Sequence, residues 1–533
     1  MKNKVSLTGS VYKNAVQLIL VGSVTGIFAG IVVSLYNICA TFVLGGSKTI
    51  YDFVRQTPAL IPLLVVGLLL GAFIISVAIR LVPMIKGSGI PQTEGATRGV
   101  VRFKWWRDSV AMFAVSLLSV FMGLSAGAEG PSIYIGSAMG DGVSAIGRRN
   151  EMIRRYQITG GACAGLAIAV GAPMSGMAFA FEEAHKRFTP EVFICAFSSV
   201  IAGMLTNSLV CYLLGVTLHG GFNCFALSEI AFKDYIFVVL SSIICGFFGV
   251  LLFNLVFWTR SLFKKINLKS VWKSDWLKMA IVVLVGGACS LVTVNVMGGG
   301  HDFIQTLGSL ALNETPSVFG LPIIWTLLVV LILKSLVTVL NMGSSVPCGS
   351  FIPMLAIGAC IGALTSEIWV LLGMDATAKD TLIMICMAAF FATVVKAPIT
   401  AVIMVVELTF SFTPLLPVII GVSIGYFIGD IARTESIYET LLDLFVEENS
   451  QKTTKQKVKF TFTAMPLSIA IGREIRDVLW PNGARVVKII RNGESVFPEG
   501  GTEIYEGDEI SFTCFTDRPD AIEDDIKHIL GVE

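Results

Sequence analysis

The most unusual chemical group in the sequence is a carboxylate set among glycines within an apolar stretch. Glu129 lies in Gly127-Ala128-Glu129-Gly130-Pro131. A carboxylate in such a stretch is costly to bury and is usually functional. At a helix N-terminus it can occupy the place of an anion, and once protonated it would leave that place. Glu129 is therefore predicted to be a gate and a proton carrier, the alternative being a helix cap exposed at the membrane surface.

Three segments punctuated by glycine and proline could each begin a helix deep inside the protein, at 87–91, 127–131 and 349–353. Proline suits the first helical turn, and glycine lets the preceding chain turn sharply and approach a ligand. Helix N-termini carry a partial positive charge of about +0.5, so several aimed at one point would form an anion site. Small residues also permit close helix packing. A single segment of this kind would favour close helix packing as its role. Three such segments, one of which has a central glutamate, favour an ion site.

Two further carboxylates occupy matching positions in two halves of the chain. Glu182 follows Pro173 by nine positions, and Glu407 follows Pro398 by nine. The Gly-x-x-x-Pro frames at 127–131 and 349–353 lie upstream in the same order. This pattern indicates a duplicated membrane unit with a site between its halves, near the bilayer midplane. Coincidence among Gly- and Pro-rich segments is the alternative.

The roles of the carboxylates in this repeat stay open at the level of sequence. Glu182 and Glu183 end an apolar run and precede His185 and Lys186. Charges in this position are ordinary where a helix emerges into the cytoplasm. Glu407 would contribute either to a permeation path or only to packing.

The elements that hold these groups are predicted to lie in lipid. Of 533 residues, 54% are hydrophobic and 14% are charged, whereas a soluble protein carries about 25% charged residues. The net charge of +1 implies no nucleic-acid partner. The 11 cysteines form no CxxC pair and the 4 histidines are dispersed, so no metal site, cofactor or enzyme activity is predicted.

Apolar runs between 15 and 432 predict an all-α polytopic membrane protein, and the duplicated motifs indicate that it contains an inverted internal repeat. Interruptions at 127–142, 160–173 and 343–353 predict broken helices, which are tolerated at membrane depth only where the backbone is buried or lines a polar cavity. Basic clusters lie at the N-terminus and at 260–278, and both are expected in the cytoplasm. The second cluster separates repeats at roughly 15–258 and 278–445, within a membrane domain spanning 1–446.

The chain becomes soluble in character after this region. Residues 447–457 are predicted to be a linker, and 458–533 a small cytoplasmic α+β domain. Strands are predicted at 458–462, 485–490, 494–498 and 509–515, with Asn492-Gly493 as a hairpin turn. Helices are predicted at 468–479 and 518–530.

The ordered motifs resemble the CLC family of chloride channels and proton-coupled chloride exchangers. The resemblance covers about 15–445 and depends on GSGIPQ at 87–92, GAEGP at 127–131, GAPMSGMAFAFEE at 171–183, GSFIP at 349–353 and Tyr438 in TESIYETLL. It implies that the hydroxyls of Ser88 and Tyr438, with the backbone N–H groups of Ser350 and Phe351, bind a central chloride.

The same resemblance implies roles for two glutamates. Glu129 corresponds to the external gating glutamate, and Glu183 to the internal proton glutamate of the exchangers, which channels commonly lack. Ser88 is similar to the chloride-type filter, where nitrate-preferring members tend to have Pro and fluoride exporters Met. Ala128 departs from the Arg or Lys that often precedes the gating Glu. The family also implies a homodimer in the cell membrane.

Three functions follow as hypotheses. The first is a chloride/proton antiporter, the second a passive chloride channel, and the third a ligand-sensing membrane protein with a vestigial transport region.

The C-terminal domain resembles the C-terminal subdomain of potassium-transport regulators, called RCK-C or TrkA-C. It would either sense an unidentified small ligand or stabilise a dimer.

Overall fold

The architecture was determined from a computed structural model. It describes residues 2–149, 151–186, 188–216, 220–266, 271–309, 318, 320–449, 456–466, 468–478, 480–481, 483–516 and 519–532. Helices form nearly all of the region up to 449, and a four-stranded sheet follows. The helices of the first half are α1 (Lys2–Gln56), α2 (Ile61–Leu81), α3 (Ile90–Thr97), α4 (Trp105–Phe121), α5 (Glu129–Ile146), α6 (Glu151–Val170), α7 (Pro173–Phe179), α8 (Pro190–Leu214) and α9 (Tyr235–Lys265).

The second half repeats this order of long and short helices. Its helices are α10 (Val271–Val292), α11 (His301–Leu307), α12 (Ile323–Ser344), α13 (Phe351–Leu371), α14 (Lys379–Val395), α15 (Pro398–Thr409), α16 (Leu415–Ile431) and α17 (Ile437–Asn449). Helices α4 to α8 correspond in order to α12 to α16. The short helices α7 and α15 each begin at the proline of the repeat.

Eight helical segments of the described chain are long and apolar enough to cross a membrane, which makes the protein a multi-pass membrane protein. Their outward surfaces carry large exposed apolar side chains such as Leu63, Leu205 and Phe247, as expected where lipid is the solvent. The segment Ala376–Val395 differs, because 94% of its most apolar window is buried inside the protein.

The predicted helix interruptions at 127–142 and 160–173 are wrong for most of their length. Helix α5 runs unbroken from Glu129 to Ile146. Helix α6 runs unbroken to Val170, and the chain breaks only at Gly171, whose φ is +75°. The glycines inside α6 serve helix packing instead: a Cβ at Gly161 would lie 2.1 Å from the carbonyl oxygen of Gly136 in α5. Here the packing alternative for small residues holds.

The two halves of the repeat pair directly through the backbone ahead of α5 and α13. Gly127 N–H donates to the Gly349 carbonyl at 2.8 Å, and Gly349 N–H donates to the Gly127 carbonyl at 3.0 Å. This isolated bridge is antiparallel. An antiparallel pairing of equivalent residues is what a two-fold axis between inverted repeats produces.

The repeat glutamates Glu182 and Glu407 cap each other's helices. Glu407 accepts from the N–H of Met174 at 2.7 Å and from the N–H and hydroxyl of Ser175 at 2.9 and 2.7 Å, at the start of α7. Glu182 accepts from the N–H of Ile399 at 2.9 Å and of Thr400 at 2.6 Å, at the start of α15. A carboxylate at a helix N-terminus satisfies free donors and complements the dipole. The open question about Glu407 is thereby answered in favour of a structural role.

The C-terminal domain contains β1 (Gln456–Thr463), β2 (Ala484–Arg491), β3 (Glu494–Val496), β4 (Glu509–Thr516) and α18 (Pro519–Leu530). The strands pair antiparallel in the order β1-β4-β2-β3. Asn492 and Gly493 have φ of +50° and +84°, which confirms the predicted hairpin turn.

The predicted helix at 468–479 is wrong. The described residues of this segment form turns and a short 3₁₀ helix at Ile475–Asp477. Their backbone N–H groups donate to other parts of the domain, as Ile469 does to Ile529 and Gly472 does to Ile504. Gly472, with φ of +74°, also breaks helical geometry.

The C-terminal domain contacts the membrane domain at the start of α6 and α8. Arg473 pairs with Glu191, and Met152 packs against the domain's apolar core. A small cavity at this contact is lined by Glu151, Met152, Arg155, Pro481, Asp525, His528 and Ile529. The two domains therefore share a partly charged interface.

The reciprocal caps predict that Glu407→Ala destabilises the membrane domain. The substitution removes the acceptor of the Met174 and Ser175 N–H groups, and each lost charged hydrogen bond costs about 1.5–3 kcal/mol. We expect the melting temperature of the full chain in detergent to fall by several degrees. Glu435→Ala, at an exposed carboxylate, is the matched control and should change stability by less than about 0.5 kcal/mol. Equal losses in both variants would contradict the capping role.

The domain contact is predicted to tighten at acidic pH. Burial, with the charge of Glu151, raises the pKa of Asp525 from 3.8 to about 6, although Arg102 and Arg155 oppose the shift. The docked state thus favours protonated Asp525. The stability that this protonation gives to docking is fully present below pH 3.8, and it is lost progressively as the pH rises through the raised pKa of about 6.

At pH 7.5, Asp525→Asn should slow hydrogen exchange at 151–155 relative to the unsubstituted protein, while at pH 4 the two should exchange alike. Comparing proteins at one pH cancels the intrinsic pH dependence of exchange. Glu494→Gln, at an exposed carboxylate of the same domain that is not among the charges acting on Asp525, should have no effect. Faster exchange in Asp525→Asn at pH 7.5 would refute the prediction.

Candidate anion site and proton-carrying carboxylates

The three glycine-proline segments begin helices that meet at one place. Helix α3 begins at Ile90, α5 at Glu129 and α13 at Phe351. The meeting point is tight: a Cβ on Gly130 would lie 2.5 Å from the Ser88 carbonyl oxygen and 3.0 Å from the Cα of Gly349. Residues from all three segments are therefore in direct contact, and their N-terminal dipoles share one small volume.

Ser88 is held in this volume by a sharply turning backbone. The flanking Gly87 and Gly89 have φ of +77° and +84°, a conformation that glycine adopts without strain. The Ser88 hydroxyl is buried and has no hydrogen-bond partner within the described chain. A buried hydroxyl without a partner is costly, and this one lines a cavity of about 30 Å³ together with Ser350. An anion accepting from Ser88 would remove that cost.

Tyr438 and Ser350 lie beside each other at this site. Their hydroxyl oxygens are 3.4 Å apart and both side chains are buried. Ser350 immediately precedes α13, and Tyr438 is the second residue of α17. The ring of Phe351 packs on Phe391, with centroids 4.6 Å apart, which leaves its backbone N–H as its polar contribution. The structure thus brings together the four residues predicted to surround the anion.

Glu129 is 7% exposed, so the alternative of a surface-exposed helix cap is wrong. The backbone N–H groups of Ala128, Glu129 and Ile352 lie close enough to stabilise its negative charge. Its Oε2 is nevertheless buried without a hydrogen-bond partner in the described structure. The carboxylate therefore lies at the junction of α5 and α13 but is incompletely satisfied there.

A buried lysine that the motif analysis missed lies within electrostatic range of this carboxylate. Lys334 in α12 is 1% exposed, and its Nζ donates to the Val296 carbonyl at 3.2 Å. A basic side chain near Glu129 is thus supplied by α12, whereas position 128 carries an alanine. An ionisable residue inside the apolar run 322–342 was the signal that would have found it.

Glu183 is 3% exposed, so a position outside the protein at a helix end is excluded for it. Its carboxyl group lies within hydrogen-bonding reach of Glu94 in α3, which is equally buried. Two adjacent buried carboxylates repel each other and favour a shared proton. The motif analysis missed Glu94, although it lies only six residues beyond Ser88.

Charged groups of increasing exposure connect this pair to the surface. Arg98 contacts Glu94 at 3.4 Å and Glu439 at 3.2 Å, and Lys186 pairs with Glu439. Lys186 is exposed. Tyr438 lies within electrostatic range of Glu183, Glu94 and Glu129. The arrangement can hold an anion at the helix starts and protons at carboxyl groups near it.

Comparison with known families identifies both domains. The voltage gated chloride channel family matches residues 70–430, and the TrkA-C domain matches residues 460–524. The chain belongs to the CLC family. Its C-terminal part is a TrkA-C domain, as the strand pattern indicated.

Individual relatives agree with this assignment. The chain is 29% identical over 451 residues to an H(+)/Cl(-) exchange transporter ClcA of Vibrio cholerae (strain O395), covering 81% of this chain and 90% of the relative. It is 29% identical over 383 residues to the ClcA of Yersinia pestis bv. Antiqua (strain Angola), covering 70% and 75%.

Solved structures share the fold. A slow cyanobacterial Cl⁻/H⁺ antiporter superposes with a TM-score of 0.72 at 21% identity, covering 81% of this chain and 99% of that one. A CLC-type fluoride/proton antiporter gives 0.62 at 18% identity, covering 79% and 97%.

The convergence at Gly130 predicts that Gly130→Ala damages the anion site. The added methyl group would collide with the Ser88 carbonyl and with Gly349, and such overpacking costs about 1–3 kcal/mol. We expect chloride binding, measured by calorimetry in detergent, to weaken about tenfold. Gly147→Ala, just after the other end of α5, is the control. Outside the helix backbone, its added methyl group would approach only the flexible Arg149 side chain, at 3.3 Å. Unchanged binding in Gly130→Ala would contradict the proposed geometry.

Proposed function

We propose that this protein exchanges chloride for protons across the cell membrane. Membership of the CLC family and the names of the two ClcA relatives support this proposal. The observation that carries it is the pair of separate buried carboxyl sites, at Glu129 and at Glu183 with Glu94, both within electrostatic range of Tyr438. A passive pore needs neither site to be titratable.

Chloride would bind where α3 and α13 begin. The hydroxyls of Ser88 and Tyr438 and the N–H groups of Ser350 and Phe351 would donate to it. Donors without a full charge hold the ion firmly enough to select it and weakly enough to release it. The unpartnered Ser88 hydroxyl supports this role.

Protons would move through the two carboxyl sites. Ionised Glu129 competes with an anion for the N–H groups at the α13 start, and protonation releases it. Chloride occupancy and Glu129 protonation would therefore be linked. Glu183, sharing a proton with Glu94, would pass protons to the cytoplasmic side near Arg98 and Glu439.

The remaining expectations concern orientation and assembly. The basic segment 260–278 supports placing both termini in the cytoplasm, and family membership supports a homodimer with one pathway per subunit.

The TrkA-C domain would sense a small ligand and bias transport through its contact with α6 and α8. A role in stabilising the dimer is the alternative for this domain.

A flux assay in proteoliposomes tests the exchange. With a chloride gradient imposed, the unsubstituted protein should drive protons against their own gradient, and its zero-current potential should shift with pH. Glu183→Gln should keep chloride flux while proton flux falls to background. Glu129→Gln should make chloride flux independent of pH and also abolish proton movement, because an amide carries no transferable proton.

Glu435→Gln, at an exposed carboxylate, serves as the control and should leave both fluxes intact. A zero-current potential that stays at the chloride equilibrium value at every pH would establish a passive channel instead. Absence of chloride flux in the unsubstituted protein would favour the vestigial, ligand-sensing alternative.

A further inference from the structure

A large basic cavity lies next to the central anion site. It forms where the ends of α2, α9, α10, α12 and α17 meet, and its volume is about 250 Å³. Its charged lining consists of five cations and two carboxylates: Arg80, Lys86, Arg260, Lys264, Lys278, Asp275 and Glu448. We call it the basic chamber. Helix α9 ends here at Lys265, in the segment predicted to be cytoplasmic, so the chamber faces the inner side.

The two carboxylates neutralise the chamber only in part. Asp275 lies 3.5 Å from Arg80 and 3.9 Å from Lys278. Glu448 lies 3.0 Å from Arg260 and 3.6 Å from Lys264. Three cations remain in excess of the carboxylates. Such an excess around a partly enclosed cavity attracts anions, because low-dielectric walls focus the field.

Arg260 provides a second and independent indication of a ligand. It is 8% exposed, and its Nη1 and Nη2 donate to Ser345 at 3.3 Å and to Glu448 at 3.0 Å. Its Nε is buried and has no partner within the described residues. A buried unsatisfied donor costs about 1–3 kcal/mol, and an acceptor bound in the chamber would remove this cost.

The size of the chamber and its donors favour a polyatomic anion over a halide. The chamber is about eight times larger than the cavity at Ser88. Arginine presents donors in a planar fork that matches the oxygens of phosphate-type groups. Two arginines and three lysines around this volume suit an oxyanion with more than one negative charge.

The chamber adjoins the smaller cavity that reaches Ser88. Lys86, Arg260 and Ser345 line both the chamber and the smaller cavity that reaches Ser88. A multiply charged anion held between them would repel chloride approaching Ser88 from the inner side. It would also displace Glu448, which now occupies part of the cationic field.

We propose that the basic chamber is a regulatory site for a phosphate-type oxyanion, supplied by free phosphate or by a phospholipid headgroup, whose binding slows chloride passage. The binding part stands independently, whereas the effect on flux rests on the proposed chloride transport. The two parts therefore need separate measurements.

Binding is tested with inorganic phosphate and the full chain in detergent, in chloride-free buffer, by equilibrium dialysis. Lys86→Gln should weaken binding about tenfold, and Glu448→Gln should tighten it several-fold by removing the competing carboxylate. Opposite shifts from two variants cannot both come from misfolding. Lys104→Gln, at an exposed lysine outside the chamber, should bind like the unsubstituted protein. Equal binding by all four proteins would overturn the proposal.

Flux is tested in vesicles with two arms. In phosphatidylcholine vesicles, phosphate on the chamber side should slow chloride flux of the unsubstituted protein but not of Lys86→Gln. The second arm uses vesicles that contain phosphatidic acid and no free phosphate. If chloride flux of the unsubstituted protein is slowed there and Lys86→Gln restores it, the lipid headgroup is the source of the bound oxyanion. Binding without slowing in either arm would overturn the regulatory part. Chloride flux without added oxyanion, measured first, shows separately whether the transport proposal holds.

Discussion

The structure depends on one constraint: negative charge buried in the membrane domain must be stabilised where water is scarce. Starting α3, α5 and α13 at a common point meets this constraint with backbone dipoles. The double hydrogen bond between Gly127 and Gly349 holds two of these helix starts together. Only glycine permits the contact at 130, so the candidate anion site and the junction between the repeats are one piece of structure.

Four glutamates in the membrane domain show how environment assigns function to one residue type. Glu182 and Glu407 each bind two backbone N–H groups of the other's helix, and they hold the repeats in register. Glu129 keeps an unsatisfied oxygen, and Glu183 faces another carboxyl group. A fully bonded carboxylate gains nothing by taking a proton, whereas an incompletely bonded or repelled one does. The bonding state separates the two capping glutamates from the two that are proposed to carry protons.

Helix α17 links the candidate anion site to the C-terminal domain. Its second residue, Tyr438, lies at that site, Glu439 lies beside Arg98, and Glu448 near the end of the helix lines the basic chamber. The TrkA-C domain follows this helix and also contacts α6 through Met152. Arg155 of α6 donates to the Arg98 carbonyl. Events at the chamber or in the C-terminal domain therefore have short physical routes to Tyr438 and to the buried pair of Glu94 and Glu183.

The sequence by itself determined the membrane environment, the duplicated motifs, the helix starts and the Asn492-Gly493 turn, because each depends on local composition, spacing or backbone preference. It failed where glycines serve packing, as in α6, and where backbone donors find distant partners, as at 468–478. Only the tertiary structure decided that Lys334 lies within electrostatic range of Glu129, that Glu94 meets Glu183 and that five helix ends enclose a basic chamber. Those contacts join residues tens to hundreds of positions apart, and no local pattern encodes which of them meet.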